Sequence, residues 1–347
     1  MPANIQTYNT AAGRINIVKG ETLAHAVPVE VLALGCTMKP MPKNSGDNIT
    51  YRRWLPYGAT TTNSSTINQW TLTAAAHITT EGVTPAADTL TPQDVNVVLQ
   101  QYAALYAYTD KANDLYEDDL PDEMKTQLGE RMGLVREMVR YGAMRACTNA
   151  FFSGGTTRAT VAAVITLNFL RKIAQGLQAN HAKMKSRILS AGPNYDTSAI
   201  EAGFLVFCHT DLEPDIRDIP GFVPVAKYAQ RSVINEYEVG SVERFRFITS
   251  PELGAYLAAG AAVAGTTLFG NTNADVYPII VVGEYGVFDV ALRGSKSFDM
   301  SILTPSQKDK SDILGQRGYV GAKFYSAVLV ANNGWMAVGE VARTSLS

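Results

Sequence analysis

The sequence is short of the groups that bond-making chemistry needs. Four histidines occur in 347 residues, and none lies three or four positions from another. H-E-x-x-H is therefore absent, as are the P-loop, G-x-G-x-x-G and G-x-S-x-G patterns. Cys36, Cys147 and Cys208 are widely spaced and odd in number, with no C-x-x-C pair. That excludes a zinc knuckle or a disulfide framework, and they read as buried reduced thiols of a cytosolic protein. Charge is scarce as well, at 18% of residues, with 30 Lys and Arg against 32 Asp and Glu. Near balance argues against a chain devoted to gripping nucleic acid or an anionic membrane. Few charges also imply that other subunits cover much of the surface. The uncharged stretch 254–274 is mostly Gly, Ala and Thr and includes Asn271 and Asn273, a poor membrane span. No basic-then-apolar leader is visible. The expectation is a soluble chain made inside a cell, without a membrane partner.

What is present is uneven along the chain. Residues 1–48 show no sustained period and are broken by Pro28, Pro40 and Pro42, so they read as an extended arm lying on something else. Between Trp54 and Pro92 stand eleven Thr and only two formal charges, Glu81 and Asp88. Residues 67–73 alternate with a period near two. Such a segment is too polar for a core and too uncharged for a solvated loop. A two-stranded arm on a partner meets both limits, and an ordinary surface hairpin is the alternative. Residues 95–108 form one long strand or a bent pair.

Pro121, Asp122 and Glu123 open a helix that runs to Cys147, about 40 Å at 1.5 Å per residue. Its small or apolar positions are Met124, Leu128, Met132, Val135, Val139, Gly142 and Ala146. Close approach of another backbone, or neutral drift, accounts for Gly129, Gly133 and Gly142. A second helix, capped by Thr166, carries Leu167, Leu170, Ile173, Ala174 and Leu177 on one face. Strands follow at 204–208, 277–282 and 287–292. One hairpin is expected over 233–248, turning at Gly240-Ser241, and another pairs 324–330 with 335–338. Strands throughout with two well-formed helices make an α+β protein, not a doubly wound one.

Candidate chemical sites are weak. Asp110, Asp114, Glu117, Asp118 and Asp119 fail the calcium-loop spacing and read as turn and helix-start residues. Asp211, Glu213, Asp215 and Asp218, with His209 beside them, offer a metal site or an acid–base pair, against a solvated loop or subunit rim. Arg131, Arg136, Arg140 and Arg145 interleave with Glu130 and Glu137, which favours ion pairs over a phosphate track. No catalytic, cofactor or metal residue is assigned, and the chain is expected not to be an enzyme.

The order of parts, with Tyr51-Arg52-Arg53-Trp54, residues 80–85 (TEGVTP), 99–110 (LQQYAALYAYTD) and 314–323 (LGQRGYVGAK), resembles the major capsid protein of tailed bacteriophages. That is the Hong Kong 97-type shell fold. The resemblance implies an N-terminal arm over 1–48, an extended loop over 49–94 and a peripheral domain over 95–185 with its spine helix at 121–147. It further implies an axial domain over 186–310 and return strands over 311–347. The implied role is a structural subunit of an icosahedral virion, self-assembling as pentamers and hexamers around double-stranded DNA held by weak non-specific contact. Assembly would take place in host cytoplasm, without cofactors, beside scaffolding, portal and decoration proteins. Trp54, Trp70, Glu81, Arg131, Arg136 and Arg140 are the expected intersubunit residues. A nanocompartment shell of the same fold and a cytosolic metal-dependent hydrolase using His209, Asp211, Glu213 or Asp215 are the alternatives.

Two departures from relatives shape further expectations. The arm starts almost at Met1, so a separate scaffolding protein, or none, is expected. Some relatives weld neighbours through a lysine in the extended loop, yet no lysine occurs between Lys43 and Lys111. Subunits are therefore expected to separate in boiling detergent, and a ladder of covalent multimers on a gel would contradict this.

Overall fold

The structure is a computed structural model describing residues 27–55, 78–85, 87, 89–115, 119–185, 202–228, 233–293, 298–308 and 312–346. Much of the Thr-rich stretch, Trp70 included, and residues 1–26 of the expected arm lie outside the described residues.

The chain opens with β1 (Thr37–Met38) and an antiparallel ribbon of β2 (Asn48–Trp54) and β3 (Pro92–Val98). Leu99 interrupts the strand pattern before β4 (Gln100–Thr109), so the expected long strand is a bent pair. Helices α1 (Asp110–Leu115) and α2 (Leu120–Arg145) follow, then β5 (Ala150–Phe152) and α3 (Leu167–Ala179). The next part holds β6 (Phe204–His209), α4 (Glu213–Arg217), β7 (Val223–Pro224), β8 (Glu238–Val242), β9 (Phe245–Ser250) and β10 (Tyr277–Val282). Last come β11 (Val287–Val290), β12 (Asp299–Leu303), β13 (Arg317–Val330) and β14 (Met336–Val341).

Two main sheets result. In the first, the long β13 pairs with β4 along residues 317–326, with β12 along 319–323 and with β11 along 327–330. One face of this sheet carries α2, with Leu128 and Met132 packed on Tyr108, Val320, Ala322 and Phe324. Pro121 in the first turn, the Asp119 cap and two acids beside the positive helix end explain where α2 begins. The second sheet has seven strands in the order β5-β14-β10-β6-β9-β8-β7. Its central strands are buried on both faces, which explains the continuous apolar runs FLVFC and YPIIVV. Phe204, Val206 and Cys208 face α3, whereas Leu205 and Phe207 face the end of α2 and residues 31–36.

Several expectations are corrected. The segment 233–248 turns at Glu243-Arg244, with Glu243 at φ +48°, and Gly240 lies inside β8. A side chain at 240 would meet the Phe222 ring and the Val223 carbonyl, so glycine serves close strand packing there. Strands β13 and β14 do not pair with each other; they enter different sheets. Strand β5 lies at the edge of the seven-stranded sheet, and α3 packs on that sheet. Strands β11 and β12 join the sheet of α2. On α2 the buried face turns after Met132 onto Glu137, Arg140, Tyr141 and Met144, leaving Gly142 and Ala146 exposed. Among the described residues no backbone approaches Gly129 or Gly142; Gly133 is crowded by the Glu30 carboxylate.

Candidate assembly surfaces

The ribbon is built to leave the body. Its inward residues Ile49, Tyr51 and Val97 pack with Met41, Val290 and Ala327, and the Tyr51 ring meets Phe288 edge-on at 5.4 Å. The outward face is locked strand to strand. Arg52 donates to both Asp94 oxygens at 2.7 and 2.8 Å, and the Thr50 hydroxyl donates to Asn96 at 2.7 Å. That ion pair holds Asp94 below the usual carboxylate range through the Arg52 hydrogen bond. Paired charges stiffen the base without asking for a partner. Trp54, opposite Pro92 at the end of the ribbon, is 58% exposed. Farther out, Ile78, Val83 and Leu90 are each more than 60% exposed, and Glu81 lies exposed in the turn closed by Val83 N–H to Thr80 O.

Residues 29–42 are anchored in their own subunit. The Glu137 carboxylate accepts the Val31 and Leu32 amides, both at 2.7 Å, and Ser250 Oγ donates to Val29 O at 2.9 Å. Gly35 lies so near the Phe207 ring that a Cβ would sit 2.8 Å from it. Beyond it, β1 pairs in parallel with β11, and Lys185 Nζ donates to Cys36 O at 3.3 Å. Glu137 is balanced by Arg140, whose guanidinium also donates twice to Asp289 Oδ2, at 3.0 and 2.8 Å. All three side chains are at most 2% exposed. This corrects the reading of Arg140 as an intersubunit residue: its charge is spent inside the subunit, tying α2 to β11 and the arm.

Of the other arginines, Arg131 is exposed with its guanidinium 5.9 Å from the Tyr106 ring centroid. Arg136 is half-buried and lines a recess of about 200 Å³ with Glu30, Gly129, Met132, Gly133, Phe298 and Phe324.

The residues of the hydrolase alternative are occupied by structural bonds. His209 Nδ1 accepts the Asp211 amide at 3.0 Å. Asp211 accepts the Tyr277 hydroxyl at 2.9 Å and faces Arg343 at 3.6 Å. Burial, with Asp211 adding to it, pushes the Tyr277 phenol up to about 12. Glu213 binds Arg217 one turn along α4, and Asp215 accepts the Thr344 amide at 2.9 Å. Among the described residues, no group of three His, Cys, Asp or Glu is placed to hold a metal ion. All three cysteines are free and buried. Burial raises Cys36 and Cys208 to about 12 and Cys147 to about 11, far from a nucleophile's range. Among the described residues no helix is long and apolar enough to cross a membrane.

This architecture is the Hong Kong 97-type capsid fold, α+β, with an arm, a projecting ribbon, a helix-backed peripheral sheet and an axial sheet. Among solved structures the chain is similar to the capsid of Ralstonia phage GP4, with a TM-score of 0.67 at 10% identity, covering 99% of each chain. It is also similar to the capsid unit of cyanophage Pam1, with a TM-score of 0.64 at 14% identity over 99% of this chain and 100% of that one. In sequence it resembles the major capsid protein of Pseudomonas phage KPP21, 20% identical over 263 residues. That match covers 69% of this chain and 65% of the relative, just under two thirds of its length. No family model matches the chain.

Proposed function

We propose that the chain is the structural subunit of an icosahedral tailed-phage shell, assembling in host cytoplasm as pentamers and hexamers that enclose duplex DNA. The observation that carries this reading is the β2–β3 ribbon, whose base packs on its own subunit through Ile49, Tyr51 and Val97 while Trp54 at its far end is exposed, within a capsid fold shared over 99% of the chain. A two-stranded ribbon is marginal in water without a supporting surface, and a neighbouring copy supplies one. Trp54, Trp70, Glu81, Arg131 and Arg136 are the residues proposed to meet neighbours, with interfaces of about 2,000 Å² or more in total. Gly46, at φ +82° with open space around it, and Pro92 flank the ribbon as hinges, which lets identical chains close rings of two sizes. The role is geometric rather than catalytic, and scaffolding, portal and decoration proteins are its proposed companions.

Negative-stain imaging of the purified protein is expected to show closed shells of uniform diameter. A monodisperse monomer at every concentration would overturn the reading. Boiled in detergent, such shells are expected to run as a single band at 37.5 kDa, because residues 44–110 offer no lysine amine for welding.

A further inference from the structure

Between Glu137 and Asp196 the sequence runs for 58 residues with eight Lys or Arg and no Asp or Glu. The remainder holds 22 basic residues against 32 acidic, so a basic segment is set within an otherwise acidic chain. Basic residues are denser there than elsewhere in the chain, and carboxylates are missing altogether.

The structure sorts those eight cations. Arg140 is spent on Asp289 and Glu137, and Arg158 donates to both oxygens of buried Glu340. Arg145 lies over the Tyr141 and Tyr256 rings, and Lys185 binds the arm. Arg187 is outside the described residues. Arg171 pairs with Glu243, which leaves Lys172 and Lys183, both exposed, on α3 and just beyond it. Burial of Phe169, Leu170, Ile173 and Leu177 against the axial sheet forces the opposite side of α3 outward. That side presents Asn168, Arg171, Lys172, Gln175 and Gln178, followed by exposed His181 and Lys183. Guanidinium, ammonium and amide groups all donate hydrogen bonds, which suits phosphate oxygens. The carboxylates near this face are few. Glu243 accepts from Arg171 at 2.9 Å, the Glu284 amide donates to Lys183 O, and Asp218 lies by the first turn of α3.

Resting on the shell reading, we infer that the outer face of α3 is the surface the subunit turns to duplex DNA, touching the phosphodiester backbone without reading sequence. Two lysines per copy, beside the Glu243-paired Arg171, give a weak contact, and repetition over a closed shell multiplies it. Weakness per copy is what later release of the contents requires.

The test uses the purified protein in its dissociated state and a short DNA duplex, with affinity measured against salt concentration. Neutralising Lys172 and Lys183 (K172Q/K183Q) is expected to flatten the slope of log K against log salt by about 2 per subunit, at about 0.9 per lost contact. Removing the same charge elsewhere, with K227Q/K323Q, is expected to leave the slope unchanged, and both variants are expected to form normal shells. An unchanged slope for K172Q/K183Q would overturn the inference. So would broken shells with unaltered DNA affinity, because the face would then be docking a second copy. Wild-type protein that binds duplex through α3 yet never forms shells would sink the shell reading instead, so the two failures are distinguishable.

Discussion

Arg140→Met is expected to cost the subunit about 3–5 kcal/mol of folding stability, the largest loss from any single side chain in the peripheral region. The guanidinium stands between two carboxylates that water cannot reach, Glu137 and Asp289. Removing it strands both. Asp289 loses both donors at once, while Glu137 keeps the Val31 and Leu32 amides. The double variant R140M/D289L is expected to cost less than R140M alone, because one stranded carboxylate goes with its partner. Urea denaturation of the dissociated subunit checks both, and protease cleavage within residues 29–42 is expected to rise in R140M as the arm loosens. Equal stability of R140M and the wild type would show that the node is not holding the arm.

Deleting residues 70–85 is expected to abolish shells while leaving the body folded. The ribbon base is complete without its outer part. The Arg52–Asp94 pair, the Tyr51–Phe288 contact and the Met41–Val97 cluster all lie inside residues 41–98 and their sheet. What the deletion removes is reach, together with exposed Ile78 and Val83 and the Glu81 turn. Sedimentation is expected to shift from particles of megadalton size to single subunits or small rings, with circular dichroism and melting of the body preserved. Normal particles from this variant would take the ribbon out of assembly.

Much of the fold was legible because its signals are local. The Pro121-Asp122-Glu123 start, the Thr166 cap (Thr166 Oγ1 accepts the Phe169 amide at 3.2 Å) and the runs 204–208 and 277–282 each report on nearby residues. Where sequence reading failed, the deciding partner was far away. Gly240 looks like a turn residue until Phe222 and Val223 are placed against it. The second half of α2 looks apolar at Val139 and Ala146, yet it buries Glu137 and Arg140, because Asp289 and the arm amides, more than a hundred residues distant, satisfy them. Residues 324–338 look like a hairpin because nothing local reveals that the two strands enter different sheets. For the site, Trp54 and Glu81 are exposed, whereas Arg140 is buried and could not be told from its neighbours by helical spacing alone.

The pairing of β4 with β13 joins Thr109 to Arg317, two segments more than 200 residues apart. At about 5–20 residues per second of synthesis, β4 waits some tens of seconds on the ribosome before its mate exists. Through that interval the edge of residues 100–109 lacks the strand that pairs its amides and carbonyls. Folding of this sheet is slow, as its non-local pairing dictates. The sheet that backs α2 is therefore complete only once translation has passed β13.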